Sequence, residues 1–150
     1  YGDQKLIDKK FLNKKLPINL IFNGHLKYKY IPKVLCKAKI LLLPYSQKVY
    51  GRSKNINLGN YMSPLKLFDY LASGSAIIAS NLPVYEHILK NEHNSILVPP
   101  NNISKWVMNI NKLYYSNRKI NKITKTNKKI SNKFTWENRA KKILNFKNAE

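Results

Sequence analysis

Short apolar runs alternate with longer segments of helical periodicity along this chain. The runs are strand-sized and nearly free of polar residues, which is typical of strands buried on both faces. They cover residues 18–22, 39–43, 76–80 and 95–98. Apolar residues recur at helical spacing in 31–38, 63–74, 83–89, from 103 to 130, and in 136–146. This alternation predicts an α/β fold.

The predicted fold is a Rossmann-like parallel sheet with helices on both faces. Such sheets bind ligands beyond the carboxyl ends of their strands. The candidate loops are therefore 23–26, 44–60, 80–83 and 99–102. A complete doubly wound domain usually has more than four strands, so we expect one or two amino-terminal strands to be missing from this chain.

The stretch SPLKLFDYLASG, residues 63–74, carries the densest helix signals. Ser63 and Pro64 are typical of a helix start and Gly74 of a helix end. Leu65, Phe68 and Leu71 recur at helical spacing, which predicts that they face the core. Lys66 lies in the first turn, where the helix dipole disfavours a cation unless an anion is bound nearby.

Two interpretations of this helix start remain open on the residues alone. Backbone N–H groups at a helix start bind phosphate, which suits Ser63 to Lys66, and the Asp69 carboxylate could accept hydrogen bonds from the vicinal hydroxyls of a ribose. The alternative is a surface pair between Lys66 and Asp69 that stabilises the helix by a few tenths of a kcal/mol.

The formal net charge is +21, from 28 Lys and Arg against seven Asp and Glu. Such a charge favours anionic partners, but only three of the 28 are Arg, so a compositional bias toward Lys, Asn and Ile is the competing explanation. Cys36 is the one cysteine, which excludes an internal disulfide and indicates a reducing compartment. No apolar run approaches the length of a membrane span, and the first residues carry no signal-peptide pattern.

Several segments, in this order, resemble the carboxy-terminal domain of family 4, GT-B-fold glycosyltransferases (glycosyl transferases group 1). They are FNGHL, AKILLLPYS, YMSPLKLFDYLASGSAIIASNLPVYEHIL, NSILVPPNN and FTWENRAKKIL. The resemblance runs from about residue 18 to residue 144. It implies that residues 1–150 are a partial nucleotide-sugar-binding domain, with a core at about 18–115 and carboxy-terminal helices at about 119–147.

The resemblance also implies roles for individual residues. The family has two acids with seven residues between them; the second falls on Asp69, which implies ribose binding, and the first falls on Tyr61. The remaining implied contacts are to the donor sugar by Tyr61 and Met62, to the diphosphate by Ser63, Pro64, Leu65 and Lys66, and to the nucleobase by Gly24, His25 and Leu26. Catalytic residues, and a basic pair for the diphosphate, are expected upstream of Tyr1, so this chain alone should not turn over.

The implied enzyme transfers a hexose from a nucleoside diphosphate sugar to a hydroxyl acceptor with retention of configuration. The expected pathway is polysaccharide, lipopolysaccharide or glycolipid synthesis in the cytoplasm, with saccharide or lipid-linked acceptors and an anionic membrane surface as a further partner. We expect no cofactor and no metal, because no carboxylate cluster or His/Cys spacing suits one.

Two other functional classes were weighed. A glycosyltransferase-like scaffold without catalysis is compatible with Tyr61 and Asp69 standing in place of two glutamates. A basic nucleic-acid-binding module should show clustered Arg and stacking aromatics. Arg is scarce here, and Trp106 and Trp136 are predicted to be core residues.

Overall fold

The structure is a computed structural model that describes residues 1, 11, 17–48, 50, 57 and 65–147. Most of the predicted loop at 46–60 and the start of the 63–74 segment therefore lie outside the described residues. The chain divides into two compact units, Tyr1–Val34 and Leu35–Glu150.

The first unit shows that the strand predicted at 18–22 is wrong. Residues 17–27 form neither helix nor strand, and the Leu20 N–H donates to the Pro17 carbonyl at 2.9 Å, which closes a tight turn. Ile18 is fully exposed. A strand needs a hydrogen-bonded neighbour, and none pairs with this segment among the described residues. A 3₁₀ turn at Tyr28–Tyr30 then leads into helix α1, Ile31–Leu35.

The second unit is built on three parallel strands: β1 (Ile40–Leu43), β2 (Ala76–Ser80) and β3 (Ile96–Val98). They lie in the order β1-β2-β3, with Leu43 opposite Ala79 and Ser80 opposite Val98. The strands predicted at 39–43, 76–80 and 95–98 are confirmed to within one residue. Every residue of the central strand β2 is buried, as its sequence of four apolar residues and one serine predicts.

Two connections join these strands. Helix α2 (Leu65–Ser73) lies between β1 and β2, and a 3₁₀ turn at Pro83–Tyr85 lies between β2 and β3. The helix predicted at 83–89 is thus much shorter than expected. After Pro83 the Glu86 N–H donates to the Pro83 carbonyl, three residues back, so the segment forms a tight turn before β3 begins.

Three helices follow the sheet: α3 (Ile103–Tyr114), α4 (Asn117–Ser131) and α5 (Trp136–Lys147). Asn102 caps α3 by accepting from the Lys105 N–H at 2.9 Å, and Ser116 caps α4 in the same way through the Lys119 N–H at 3.4 Å. Trp136 is 79% exposed, so its predicted core position is wrong. The α5 residues whose burial is described are all exposed or half-buried, because no other described element covers this helix.

The core has one layer on each face of the sheet, which confirms the predicted α/β fold with helices on both faces. Side chains alternate along β2, so Ile77 and Ala79 face one side and Ala76 and Ile78 the other. The first layer joins them to Leu43, Leu67, Leu71, Leu82, Tyr85 and Leu89. The second layer contains Ile96, Val98, Trp106, Leu113 and Ile123.

Helix α4 crosses the amino-terminal edge of the sheet. The Lys119 ammonium pairs with the Glu92 carboxylate at 2.8 Å just before β3, and the buried Asn127 amide donates to the Ser75 carbonyl at 3.1 Å just before β2. One residue later, the Lys128 side chain lies against Gly74 at the end of α2. The helix therefore passes from the α3 face of the sheet to the α2 face.

Candidate functional site

The carboxyl edge of the sheet, where the sequence predicts a donor site, receives the end of β1, the end of β2 and the start of α2. Of the predicted site residues, Leu65, Lys66 and Asp69 lie on α2. Tyr61, Met62, Ser63 and Pro64 lie outside the described residues. Gly24, His25 and Leu26 belong to the first unit, where Gly24 takes a positive φ of 65°.

The buried side of α2 differs from the predicted stripe. Leu67 and Leu71 are fully buried and Phe68 is half-buried, whereas Leu65 is 71% exposed. With 100° of rotation per residue, Leu67, Phe68 and Leu71 share one side and Leu65 lies on the other. The prediction that Leu65 faces the core is therefore wrong, and Leu67 takes its place.

The outer side of α2 holds Leu65, Lys66 and Asp69 together. Lys66 is exposed and Asp69 is half-buried. Within the part of the chain that the structure describes, no ion pair joins the Lys66 ammonium to the Asp69 carboxylate, so the alternative of a surface pair has no support here. The first turn of α2 contains no acidic residue, so Lys66 is the charged residue of that turn.

Three tyrosines pack in the core layer next to this edge: Tyr45, which follows β1, Tyr70 on α2 and Tyr85, which follows β2. The Ser80 hydroxyl donates to the Tyr45 carbonyl at 2.6 Å and so ties the end of β2 to the segment after β1. The Tyr85 hydroxyl is buried and has no hydrogen-bond partner among the described residues.

Burial and neighbouring groups raise the pKa of two of these tyrosines, Tyr70 and Tyr85. Burial raises the pKa of Tyr70, and Tyr45 and then the negative charge of Asp69 raise it further. Burial, with a smaller effect from Tyr45, also raises the pKa of Tyr85. At neutral pH both are therefore uncharged groups that can donate and accept hydrogen bonds. The sequence pattern alone does not single out these tyrosines, although Tyr45 and Tyr85 each come a few residues after a predicted strand.

The described residues contain neither a metal-ligand cluster nor a membrane-spanning helix. Across the described ranges, no group of three or more His, Cys, Asp or Glu side chains is placed to hold a metal ion. None of the described helices combines the length and the apolar composition that crossing a bilayer requires.

Comparison with known proteins decides the family. The family model for glycosyl transferases group 1 matches residues 1–130. The chain belongs to this family. The match confirms the resemblance to group 1 glycosyltransferases, and the three parallel strands with their flanking helices are the arrangement expected of one half of a GT-B fold.

One curated relative matches part of this group 1 glycosyltransferase chain. The putative teichuronic acid biosynthesis glycosyltransferase TuaH of Bacillus subtilis (strain 168) is 31% identical over 83 residues. The alignment covers 49% of this chain and 19% of the relative. The chain thus aligns with about a fifth of the length of the relative it matches.

Proposed function

We propose that this chain is the donor-binding part of a retaining, family 4 glycosyltransferase with a GT-B fold. The complete reaction would move a hexose from a nucleoside diphosphate sugar to a hydroxyl acceptor. Family membership supports transferase chemistry, and the relative named for teichuronic acid biosynthesis supports a role in cell-envelope polysaccharide synthesis. The observation that carries the proposal is the placement of Lys66 and Asp69 on the outer side of α2, at the carboxyl edge of the sheet.

The start of α2 suits a diphosphate. The first N–H groups of a helix lack intrahelical acceptors and carry a partial positive charge, and Lys66 adds a full charge within the first turn. Without an anion the helix dipole opposes Lys66 by a few tenths of a kcal/mol; a bound diphosphate reverses that effect. In the proposed site Ser63, Pro64, Leu65 and Lys66 meet the diphosphate and stabilise the charge of the leaving group.

Asp69 is one helical turn further along, on the same side of α2 as Lys66. Its carboxylate can accept hydrogen bonds from both hydroxyls of the donor ribose. It is half-buried, and partial burial strengthens a charge-assisted hydrogen bond relative to one in bulk water. We assign ribose binding to Asp69, donor-sugar contacts to Tyr61 and Met62, and nucleobase contacts to Gly24, His25 and Leu26. The proposed site uses no metal.

Calorimetric titration of the full-length protein with a panel of nucleoside diphosphate hexoses tests this assignment. Asp69→Ala should weaken binding about tenfold, which corresponds to about 1.4 kcal/mol. Lys66→Ala should weaken it severalfold. Glu86→Ala and Lys90→Ala remove the same kinds of charge from exposed positions outside the proposed contacts and serve as matched controls, for which no change is expected.

Truncated donor ligands distinguish the ribose contact of Asp69 from the diphosphate contact of Lys66. Removing both vicinal hydroxyls of the ribose from the donor should abolish most of the effect of Asp69→Ala. Removing the diphosphate should abolish the effect of Lys66→Ala. If all donors bind equally to the wild type and to both variants, or if no donor binds, the site is wrong and the scaffold alternative is favoured, since Tyr61 already departs from the family's glutamate.

A further inference from the structure

Asn23 and Gly24 form the one Asn-Gly pair in the chain. They lie in the first unit, within the segment 17–27, which is neither helix nor strand. Phe22 and Gly24 are half-buried, whereas Asn23 between them is exposed. The side-chain amide of Asn23 is therefore accessible to water.

The groups that could react with each other in this pair are free of hydrogen bonds. Neither the Asn23 side-chain amide nor the Gly24 N–H has a hydrogen-bond partner among the described residues. Gly24 takes a φ of 65°, which suits glycine because it has no Cβ. The absence of a Cβ also leaves the Gly24 nitrogen open to approach by the preceding side chain.

Asn19 provides a comparison within the same irregular segment. It is exposed, as Asn23 is. The residue that follows it is Leu20, which has a bulky side chain and whose N–H donates to the Pro17 carbonyl at 2.9 Å. Asn19 and Asn23 thus share their exposure and differ in whether the next backbone nitrogen is accessible.

Asn94 provides the opposite comparison, because a small residue, Ser95, follows it in the sequence. Asn94 is fully buried. Its amide nitrogen donates to the Ile88 carbonyl at 3.0 Å, and its amide oxygen accepts from the Lys90 N–H at 2.6 Å. Both ends of the Asn94 amide are held in place, so this side chain can react only when the surrounding structure opens.

We propose that Asn23 is a site of spontaneous deamidation, at which the backbone nitrogen of Gly24 attacks the side-chain amide carbon. The Gly24 nitrogen gives its proton to solvent and forms a bond to Asn23 Cγ. The bond from Cγ to Nδ2 breaks, and the nitrogen takes up a proton and leaves as ammonia. The reacting atoms belong to adjacent residues, so ring closure to the five-membered succinimide is intramolecular.

Water completes the modification. It adds to one of the two ring carbonyls and opens the succinimide, which leaves a carboxyl group and restores one amide bond. Opening at one carbonyl gives aspartate with the normal main chain. Opening at the other gives isoaspartate, in which the chain continues through the side-chain carbon. No oxidant or reductant takes part.

Both products place a carboxylate where the chain otherwise has none. Residues 9–68 contain thirteen Lys and Arg and no Asp or Glu. The consequence for the donor rests on the proposed function, in which Gly24, His25 and Leu26 contact the nucleobase. A new anion beside these residues repels the anionic donor, and isoaspartate also lengthens the main chain by one atom. Deamidation should therefore weaken donor binding as the protein ages.

Mass spectrometry of the whole chain, incubated in mildly alkaline buffer, tests the modification itself. One tryptic peptide, residues 16–27, contains both Asn19 and Asn23, so fragmentation compares them directly. Asn23 should convert to aspartate and isoaspartate at least about tenfold faster than Asn19 or Asn94. Its rate in the folded chain should lie within about tenfold of its rate in a synthetic peptide of residues 16–27, whereas Asn94 should react at least about tenfold faster once the chain is unfolded in urea.

The matched variant is Asn23→Gln, which keeps the amide but adds a methylene between it and the backbone. It should stop conversion at position 23 and leave Asn19 unchanged, with circular dichroism verifying that the variant is folded. Equal rates at Asn19 and Asn23, equal rates at Asn94 and Asn23, or a rate at Asn23 far below that of the peptide would each overturn the proposal.

Donor titration of the full-length protein before and after incubation tests the consequence. The incubated wild type should bind the donor severalfold more weakly, and incubated Asn23→Gln should bind as it did before incubation. Unchanged binding by a deamidated wild type would refute the effect on the donor. If no donor binds to any sample, the proposed function fails, while the mass spectra still decide whether Asn23 is the modified residue.

Discussion

The buried polar side chains at the two edges of the sheet differ in the bonds they make. At the amino edge the Asn127 amide donates to the Ser75 carbonyl, and the Ser75 hydroxyl donates to the Leu35 carbonyl at 2.9 Å, while the Asn127 amide oxygen is buried without a partner among the described residues. At the carboxyl edge the Ser80 hydroxyl donates to the Tyr45 carbonyl, whereas the buried Tyr85 hydroxyl has no hydrogen-bond partner among the described residues. Because losing a bonded polar group costs stability and losing an unbonded one does not, Asn127 and Tyr85 should respond differently to substitution.

The largest expected effect on stability comes from replacing the hydrogen-bond donor at the amino edge with an acceptor. Asn127→Asp keeps the side-chain size but replaces the donor to the Ser75 carbonyl with a buried carboxylate, so unfolding free energy should fall by about 3 kcal/mol or more. Urea denaturation measures the loss. Because a protonated carboxyl can donate as the amide does, the loss should shrink as the pH is lowered.

The control for this change lies on the same helix. Asn121 is exposed on α4, so Asn121→Asp adds the same charge without burial and should change stability by less than about 0.5 kcal/mol. Equal effects of the two substitutions would show that the Asn127 amide does not hold the amino edge.

A smaller effect is expected where α2 ends against α4. Gly74 has a φ of +73°, and a Cβ at this position would lie 2.6 Å from Lys128 Cε and 2.8 Å from Lys128 Cγ. Gly74→Ala should therefore cost about 2 kcal/mol, from backbone strain and from displacement of the lysine. In a Lys128→Ala background only the strain remains, and the cost should fall to about 1 kcal/mol. A cost unchanged by Lys128→Ala would contradict the close packing of α4 on α2.

The smallest effect on stability, and one of opposite sign, is expected for Tyr85 at the carboxyl edge. Tyr85→Phe removes a buried hydroxyl that lacks a partner, so stability should stay the same or rise by up to about 1 kcal/mol. A clear loss of stability would show that the Tyr85 hydroxyl is hydrogen-bonded, as the Asn127 amide N–H is.

The effect of Tyr85→Phe on stability should also depend on pH. The pKa of Tyr85 is raised in the folded state, so the folded protein holds this proton more tightly than the unfolded chain does. The wild type should therefore lose stability as the pH rises above the ordinary tyrosine pKa of 10.0. Tyr85→Phe should remove part of that loss, which thermal melting at increasing pH would detect.

The sequence predicts the strands correctly where the apolar pattern fits only one type of secondary structure. A nearly apolar run such as 76–80 suits only a buried strand once helices flank it, and it is confirmed as β2. The run at 18–22 has the same pattern but no partner strand among the described residues, and pairing is a tertiary property that one segment cannot show.

The errors in α2 and at the buried polar groups have different causes. Leu65 and Leu67 both fit a helical stripe with Leu71, and only the position of the sheet decides which one is buried. The burial of Asn127 and Tyr85 was not predictable, since polar residues are usually exposed and nothing local distinguishes the exceptions. The placement of Lys66 and Asp69 on one side of α2 followed from helical spacing alone.

Because α4 crosses the amino-terminal edge of the sheet, the order in which the chain is translated matters for folding. The strands are complete once Val98 has been added, yet the donor to the Ser75 carbonyl arrives only with Asn127. At about 5 to 20 residues per second, the ribosome needs roughly 1.5 to 6 s to cover that interval. During those seconds the nascent sheet has an open amino edge, so this edge closes only after all three strands have been translated.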